Sequence, residues 1–291
     1  MFDFGLKRRG GPARPEPGAN TTPDSGTIGG YRLLERIGAG GFGSVFKAVE
    51  PESGRLVAIK TCGLGKAEHS RFFREARLAG GLRHPNIAAV FESGMHGDTP
   101  FMVQELLTGR DLSAMIRERQ PYDLEEKRRI LVAIADGLDY AHGKGVIHRD
   151  INPSNVRILE DGGVKIMDFG IAKTIDSKTG MTRAGMAVGT VAYMSPEQMS
   201  GGEIGPHTDV FLLGVLAYEL LSFRPAFRNA NLFRLMEIIL NEDPDPLIDV
   251  APSVPEGLAA VVAKAMRKVP EERFSSASDL RNALMAPALQ A

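Results

Sequence analysis

Apolar and polar positions change rhythm along the chain, alternating in short runs at first and later recurring at helical spacing. From Tyr31 the runs Leu33-Leu34-Glu35-Arg36-Ile37, Ser44-Val45-Phe46-Lys47-Ala48-Val49-Glu50 and Leu56-Val57-Ala58-Ile59-Lys60 each have the length and pattern of a strand. Gly38-Ala39-Gly40-Gly41-Phe42-Gly43 joins the first two, and Pro51 to Arg55 reads as a turn before the third. His69 to Leu82 predicts a helix, and Phe101 to Leu107 predicts a buried strand running into an irregular link before Gly109. Further on, Asp123-Leu124-Glu125-Glu126 has the capping-box arrangement, with Ile130, Ile134, Leu138 and Ala141 continuing at helical spacing. Val210 to Leu221 reads as a buried helix, because it is interrupted by Glu219 and a membrane span needs ~20 apolar residues. Helices are also expected near Leu232–Leu240, Gly257–Arg267 and Ser276–Leu284.

Composition narrows the class. The 291 residues are 43% apolar, enough for a packed core in one large domain or two small ones. With 35 basic and 36 acidic residues the net charge of -1 provides no global field for nucleic acid or a membrane surface, so neither partner is expected. The single cysteine, Cys62, excludes an intramolecular disulfide and a cysteine-rich zinc site, and fits a reducing, cytoplasmic setting. Residues 1–27 are rich in Gly, Pro and small polar residues. Lys7-Arg8-Arg9 is not followed by the apolar stretch of a secretory signal, so this segment reads as a disordered leader and plain linker. A folded domain over 28–286 and a short tail at 287–291 complete the expected organisation.

The chemistry concentrates at four places. Gly38, Gly40 and Gly43 remove side chains where backbone amides can approach phosphate oxygens, and Phe42 can close the tip over them. Such a glycine pattern also marks dinucleotide-binding folds, but those need a helix immediately afterwards, and here a strand follows. Lys60 ends the third strand, and Glu75 lies on the helix face opposite Arg74 and Arg77, which makes the two an expected ion pair. In His148-Arg149-Asp150-Ile151-Asn152-Pro153-Ser154-Asn155, followed by Asp168-Phe169-Gly170, Asp150 is placed to accept a proton. Asn155 and Asp168 offer hard oxygen ligands suited to Mg²⁺.

Taken in order, Gly38 to Gly43, Val57 to Lys60, Glu75, His148 to Asn155, Asp168 to Gly170 and Ser195-Pro196-Glu197 resemble the protein kinase signature set. The resemblance covers about Tyr31 to Leu284 and is most similar to the bacterial eukaryotic-like Ser/Thr kinases. It implies an α+β, two-lobed protein kinase fold, with a small, mainly β lobe at about 28–105 and a larger helical lobe at about 109–286. It further implies phosphoryl transfer from ATP with Mg²⁺, or Mn²⁺ in its place, to Ser or Thr hydroxyls of protein substrates. Autophosphorylation of the activation loop would come with self-association in trans.

Residue by residue, the resemblance puts Ile37, the glycines, Phe42, Val45 and Ala58 around the nucleotide and Lys60 on its α- and β-phosphates. Gln104 becomes the gatekeeper, and backbone groups of Glu105 and Leu107 pair with the adenine edge. Asp150 orients the acceptor hydroxyl, His148 is structural, and Arg149 meets an anion in the activation segment. The candidate phosphate carriers are Thr174, Ser177, Thr179 and Thr182, with Thr182 favoured. Thr190 is expected to hydrogen-bond to Asp150, Glu197 to pair with Arg273, and Asp209 to brace the loop around Asp150.

Two positions depart from the family pattern. Asn152 stands where these kinases usually carry a lysine that lends charge to the transferring group, so a slow enzyme is expected, and the rival reading is an ATP-binding scaffold without useful turnover. Arg157 stands where an apolar residue usually lies beneath adenine. Its guanidinium either stacks on the base or points to solvent with its stem along the pocket wall.

Overall fold

The alternating runs of the first part assemble into one antiparallel sheet. A computed structural model describes residues 26–40, 43–63, 65–169 and 191–286. The strands are β1 (Thr27–Ile28), β2 (Tyr31–Gly40), β3 (Gly43–Val49), β4 (Leu56–Thr61), β5 (Val90–His96) and β6 (Thr99–Glu105), in the spatial order β1-β2-β3-β4-β6-β5. Side-chain alternation decides what each face buries. On β6, Phe101 and Val103 join Tyr31, Ala48, Val57 and Ile59 on one side, while Met102 packs with Phe72, Ala76 and Ala79 of helix α1 (Lys66–Gly80) on the other. Thr27, assigned by composition to the leader, is already in β1, paired with Arg32.

Helices dominate the remainder: α2 (Leu112–Arg117), α3 (Leu124–Gly143), α4 (Pro196–Ser200), α5 (Pro206–Ser222), α6 (Leu232–Asn241), α7 (Leu247–Val250), α8 (Glu256–Ala265) and α9 (Ala277–Met285). Asp123 caps α3 as its sequence pattern predicts, accepting from the Glu126 amide at 2.7 Å while the Glu126 carboxylate accepts from the Asp123 amide at 2.9 Å. α5 is buried nearly all round, which explains why its sequence has no polar stripe, and it packs against α3 and α8. Among the described residues no helix is long and apolar enough to cross a membrane.

A second, small sheet lies between the two parts. β7 (Arg110–Asp111), β8 (Val156–Ile158) and β9 (Val164–Ile166) are too short to leave a legible period in the sequence. β8 begins immediately after Asn155, and β9 ends two residues before Asp168. An isolated parallel bridge from Ile166 to Ile87 ties this hairpin to the loop that follows α1. The expected helix boundaries shift by a few residues, the largest case being α5, which starts at Pro206 instead of Val210, followed by α1, which starts at Lys66 instead of His69.

Candidate active site

Strand register brings one set of candidates to a single sheet face. Val45 is opposite Lys60, and Lys60 opposite Met102; Ala58 is opposite Gln104. Residues directly opposite in a sheet point to the same side, so Val45, Ala58, Lys60 and Gln104 share the face toward α1 and the helical lobe. Gly38 pairs with Val45 at the start of this face, and Ile37, next to it, is half exposed at the rim. Gly43 has a reason beyond ligand access: a Cβ there would lie 1.8 Å from the Thr61 carbonyl oxygen. Phe42 lies outside the described residues.

Lys60 is held by two carboxylates. Its Nζ donates to Glu75 Oε1 at 3.2 Å and to Asp168 Oδ1 at 2.7 Å. Burial alone would lower the lysine pKa, but the Asp168 and then the Glu75 charges outweigh it and hold the ammonium above its ordinary value. Glu75 is buried too, and that burial raises its pKa above the usual carboxylate value despite the pull of Lys60.

The loop around Asp150 is built on strained backbone, fixed from several sides. Arg149 adopts φ 67° and Asp168 φ 52°, left-handed conformations that cost non-glycine residues free energy. Asp209, fully buried in the first turn of α5, accepts from the His148 and Arg149 amides at 2.8 Å each, and its Oδ2 also lies 2.8 Å from His142 Nε2. From the other side, Gln198 Nε2 donates to the Arg149 carbonyl at 2.7 Å. His148 is buried. Its Nδ1 accepts from the Asp150 amide at 3.2 Å and its Nε2 lies 2.9 Å from the Met167 carbonyl, which links Asp150 to the residue before Asp168.

Both oxygens of the Asp150 carboxylate accept hydrogen bonds from neighbouring amides. Asn152 Nδ2 donates to Oδ1 at 3.1 Å, and Asn155 Nδ2 donates to Oδ2 at 2.9 Å. Each amide nitrogen also reaches the Asp150 carbonyl, at 3.0 and 2.8 Å. Asn152 Oδ1 in turn accepts from the Ser154 amide at 2.9 Å, so this side chain is locked in a turn against Asp150. The Asn155 nitrogen is spent on Asp150, which leaves its side-chain carbonyl oxygen available, and Asp168 is 40% exposed with one oxygen not engaged by Lys60. That donor set, a neutral and an anionic hard oxygen, fits Mg²⁺ that draws its other ligands from phosphate and water.

Between the two parts, the linker uses its polar groups unevenly. The Glu105 amide already donates to the Ala89 carbonyl at 2.8 Å, so only its carbonyl is available to a ligand. The Leu107 carbonyl accepts from Arg157 Nη1 at 3.2 Å, which leaves the Leu107 amide. Arg157 therefore takes neither arrangement expected from the sequence. Its two Nη atoms pair with the Leu107 carbonyl and, at 2.6 Å, with the Asp111 carboxylate, the charge-assisted partner nearest to it, while Nε is buried with no partner among the described residues.

Glu197 and Arg273, the pair expected from the sequence, meet through two parallel bonds of 2.8 and 2.9 Å. Gly170, Thr174, Ser177, Thr179, Thr182 and Thr190 lie outside the described residues. Sequence reasoning missed Gln198, Asp111 and Lys165 as partners of the site. A signal for Gln198 existed, since Ser195-Pro196-Glu197-Gln198 has capping-box spacing, and Ser195 and Gln198 do form that box.

The family description that matches this chain is the protein kinase domain, over residues 31–285. A probable serine/threonine-protein kinase of Corynebacterium efficiens is 37% identical over 263 residues, covering 86% of this chain and 40% of that protein. The probable serine/threonine-protein kinase PknB of Corynebacterium glutamicum is 36% identical, with coverages of 86% and 41%. Serine/threonine-protein kinase PknF of Mycobacterium tuberculosis is 33% identical over 271 residues, with coverages of 90% and 57%. The chain thus spans about two fifths of the first two relatives.

Proposed function

Since this chain belongs to the protein kinase family, we propose that it transfers the γ-phosphoryl group of ATP to Ser or Thr hydroxyls of protein substrates. The observation that carries the reading is the Asp150 carboxylate, held at one oxygen by Asn152 and at the other by Asn155, with the Lys60, Glu75 and Asp168 cluster completing the cleft. In this reading Asp150 orients the acceptor hydroxyl and takes its proton, and Lys60 binds the non-transferring phosphates. Ile37, Gly38, Gly40, Phe42, Gly43, Val45 and Ala58 enclose the nucleotide, Gln104 backs its base, and main-chain groups of Glu105 and Leu107 meet the base edge. Asn155 and Asp168 would hold Mg²⁺, or Mn²⁺, whose charge offsets that of the phosphates when bound. Transfer of labelled phosphate from ATP to a generic basic protein, followed by phosphoamino-acid analysis, tests the reading. Label on Ser or Thr supports it, and bound ATP without transfer would favour the scaffold.

Asn152 sets the rate in this account. It serves Asp150 with a hydrogen bond but brings no charge to the transferring group, and one missing preorganised group can cost ~10²-fold in rate. Asn152→Lys is therefore expected to raise kcat by about tenfold or more, and Asn152→Ala to lower it by freeing Asp150, both read in steady-state phosphotransfer.

The Lys60–Glu75 pair predicts a pH dependence. Because burial raises the Glu75 pKa, acidification protonates it and breaks the ion pair before exposed carboxylates titrate. A carboxyl whose folded pKa is raised contributes stability below its unfolded pKa and loses it as pH rises through the folded value. The acid limb of the rate profile should therefore precede any acid unfolding. Glu75→Gln should lower the neutral-pH rate on the order of 10²-fold and flatten that limb.

Control by phosphorylation belongs to the same proposal. Arg149 Nε is buried with no hydrogen-bond partner among the described residues, which supports an anion arriving there, and a phosphate on Thr182, with Thr179 second, supplies one. Thr190 is assigned to Asp150. The proposal extends to a kinase domain over 28–286, self-association for autophosphorylation in trans, and a cytoplasmic setting, the last supported by the lone Cys62 and the balanced charge.

A further inference from the structure

The linker from Glu105 to Asp111 is fastened to the β8–β9 hairpin at successive points. Lys165 Nζ donates to Glu105 Oε2 at 3.0 Å, Arg157 Nη1 to the Leu107 carbonyl at 3.2 Å, and Arg157 Nη2 to Asp111 Oδ1 at 2.6 Å. Between the two Arg157 contacts the linker presses on β8 at Gly109, where φ is +105° and a Cβ would lie 2.1 Å from the Ile158 carbonyl oxygen. Arg157 and Lys165 are directly opposite each other in the β8–β9 register. Like charges so placed repel, and each is answered by a different linker carboxylate, Asp111 or Glu105. The same hairpin carries Asn155 at its entry and Asp168 just beyond its exit.

We propose that Arg157 and Lys165 are positioning residues for the nucleotide, clamping the base-contacting linker to the hairpin that carries Asn155 and Asp168. This rests on the ATP reading above and adds to it a function for two cations that stand beside the base pocket. The clamp fixes the span between the group that meets the base and the groups that meet metal and phosphate. A ligand bridging both ends gains from that preorganisation, because the cost of bringing the ends into register has been met before binding. A ligand that occupies only the base end gains little.

The test compares Mg-ATP with adenosine by titration calorimetry on the full chain and on Arg157→Met, which keeps the apolar stem and removes the donors. Mg-ATP should bind about tenfold more weakly, the scale of one charge-assisted hydrogen bond, while adenosine should change by less than about threefold. Lys165→Met should show the same selective loss, and Arg157→Lys should recover part of it. Asp111→Asn, which keeps the side-chain shape, reads the clamp independently of any packing defect at position 157, and the same selectivity is expected. Equal weakening of adenosine and Mg-ATP would overturn the proposal in favour of a direct contact between Arg157 and the base. Unchanged Mg-ATP affinity in a variant whose parent binds normally would overturn the clamp alone. Absence of ATP binding by the unmodified chain would overturn both the clamp and the reading beneath it.

Discussion

Asp150→Asn is expected to reduce phosphotransfer by ~10³-fold or more while leaving Mg-ATP affinity within about threefold of the parent. The carboxylate is the one group in the loop placed to accept a proton, and general-base assistance with its accompanying electrostatics is worth ~10²-10⁴-fold. The substitution is nearly isosteric. Asn152 and Asn155 each donate to one oxygen of Asp150, and an amide at position 150 can still accept one of those bonds. The backbone should hold, because its anchors do not involve this side chain: Asp209 grips the His148 and Arg149 amides, and Gln198 grips the Arg149 carbonyl. Rate and affinity measured side by side separate lost chemistry from lost binding.

Glu197→Ala should produce the largest stability loss, about 3–5 kcal/mol, because it strands a buried guanidinium. For a domain of this size that lowers Tm by about 10 °C. Arg273 spends every donor it has: Nη1 and Nη2 on Glu197, Nε on the Arg267 carbonyl, and the remaining two hydrogens on the carbonyls of His207 and Lys268. Its side chain is 0% exposed, so no water replaces a lost partner. Burial pushes the Glu197 carboxyl up, but the Arg273 guanidinium outweighs it, with Thr208 assisting, and holds its pKa below the usual value. A group with a depressed folded pKa contributes stability above its unfolded pKa and loses it as pH falls through the folded one. Thermal unfolding followed from neutral pH into the acid range should therefore show the parent approaching the variant as the carboxyl protonates.

What the sequence made legible was chemistry at fixed spacing. Lys60 and Glu75, 15 positions apart, are paired by a lysine at a strand end and a carboxylate on the following helix, whereas Glu197 and Arg273, 76 positions apart, are paired only through the family resemblance. Strands β2, β3, β4 and β6 and the period of α3 were legible, whereas β1 and β5 were not, and α5 was read from its apolar run, not from a period. The β8–β9 hairpin left no period, since three-residue strands cannot establish alternation. Arg157 could not be read either. Its identity announced a departure, but its direction depends on where the linker passes, and that is set by Gly109 meeting the Ile158 carbonyl. The orientation of Asn152 was hidden for a similar reason, being fixed by the Ser154 amide in a turn whose geometry exists only once the loop closes. Asp209 was legible as a brace from the resemblance, yet its three donors come from α3 and the loop, a convergence only the fold reveals.

The most direct test of the central claim is intact-mass spectrometry with peptide mapping after incubation in Mg-ATP, run beside Asp150→Asn. Phosphate is expected to accumulate on Thr182 or the neighbouring candidates Thr179, Ser177 and Thr174 of the unmodified chain, and not on the variant. No phosphate on the chain or on an added basic protein, while ATP still raises the melting temperature, would contradict phosphoryl transfer and leave a nucleotide-binding scaffold in its place.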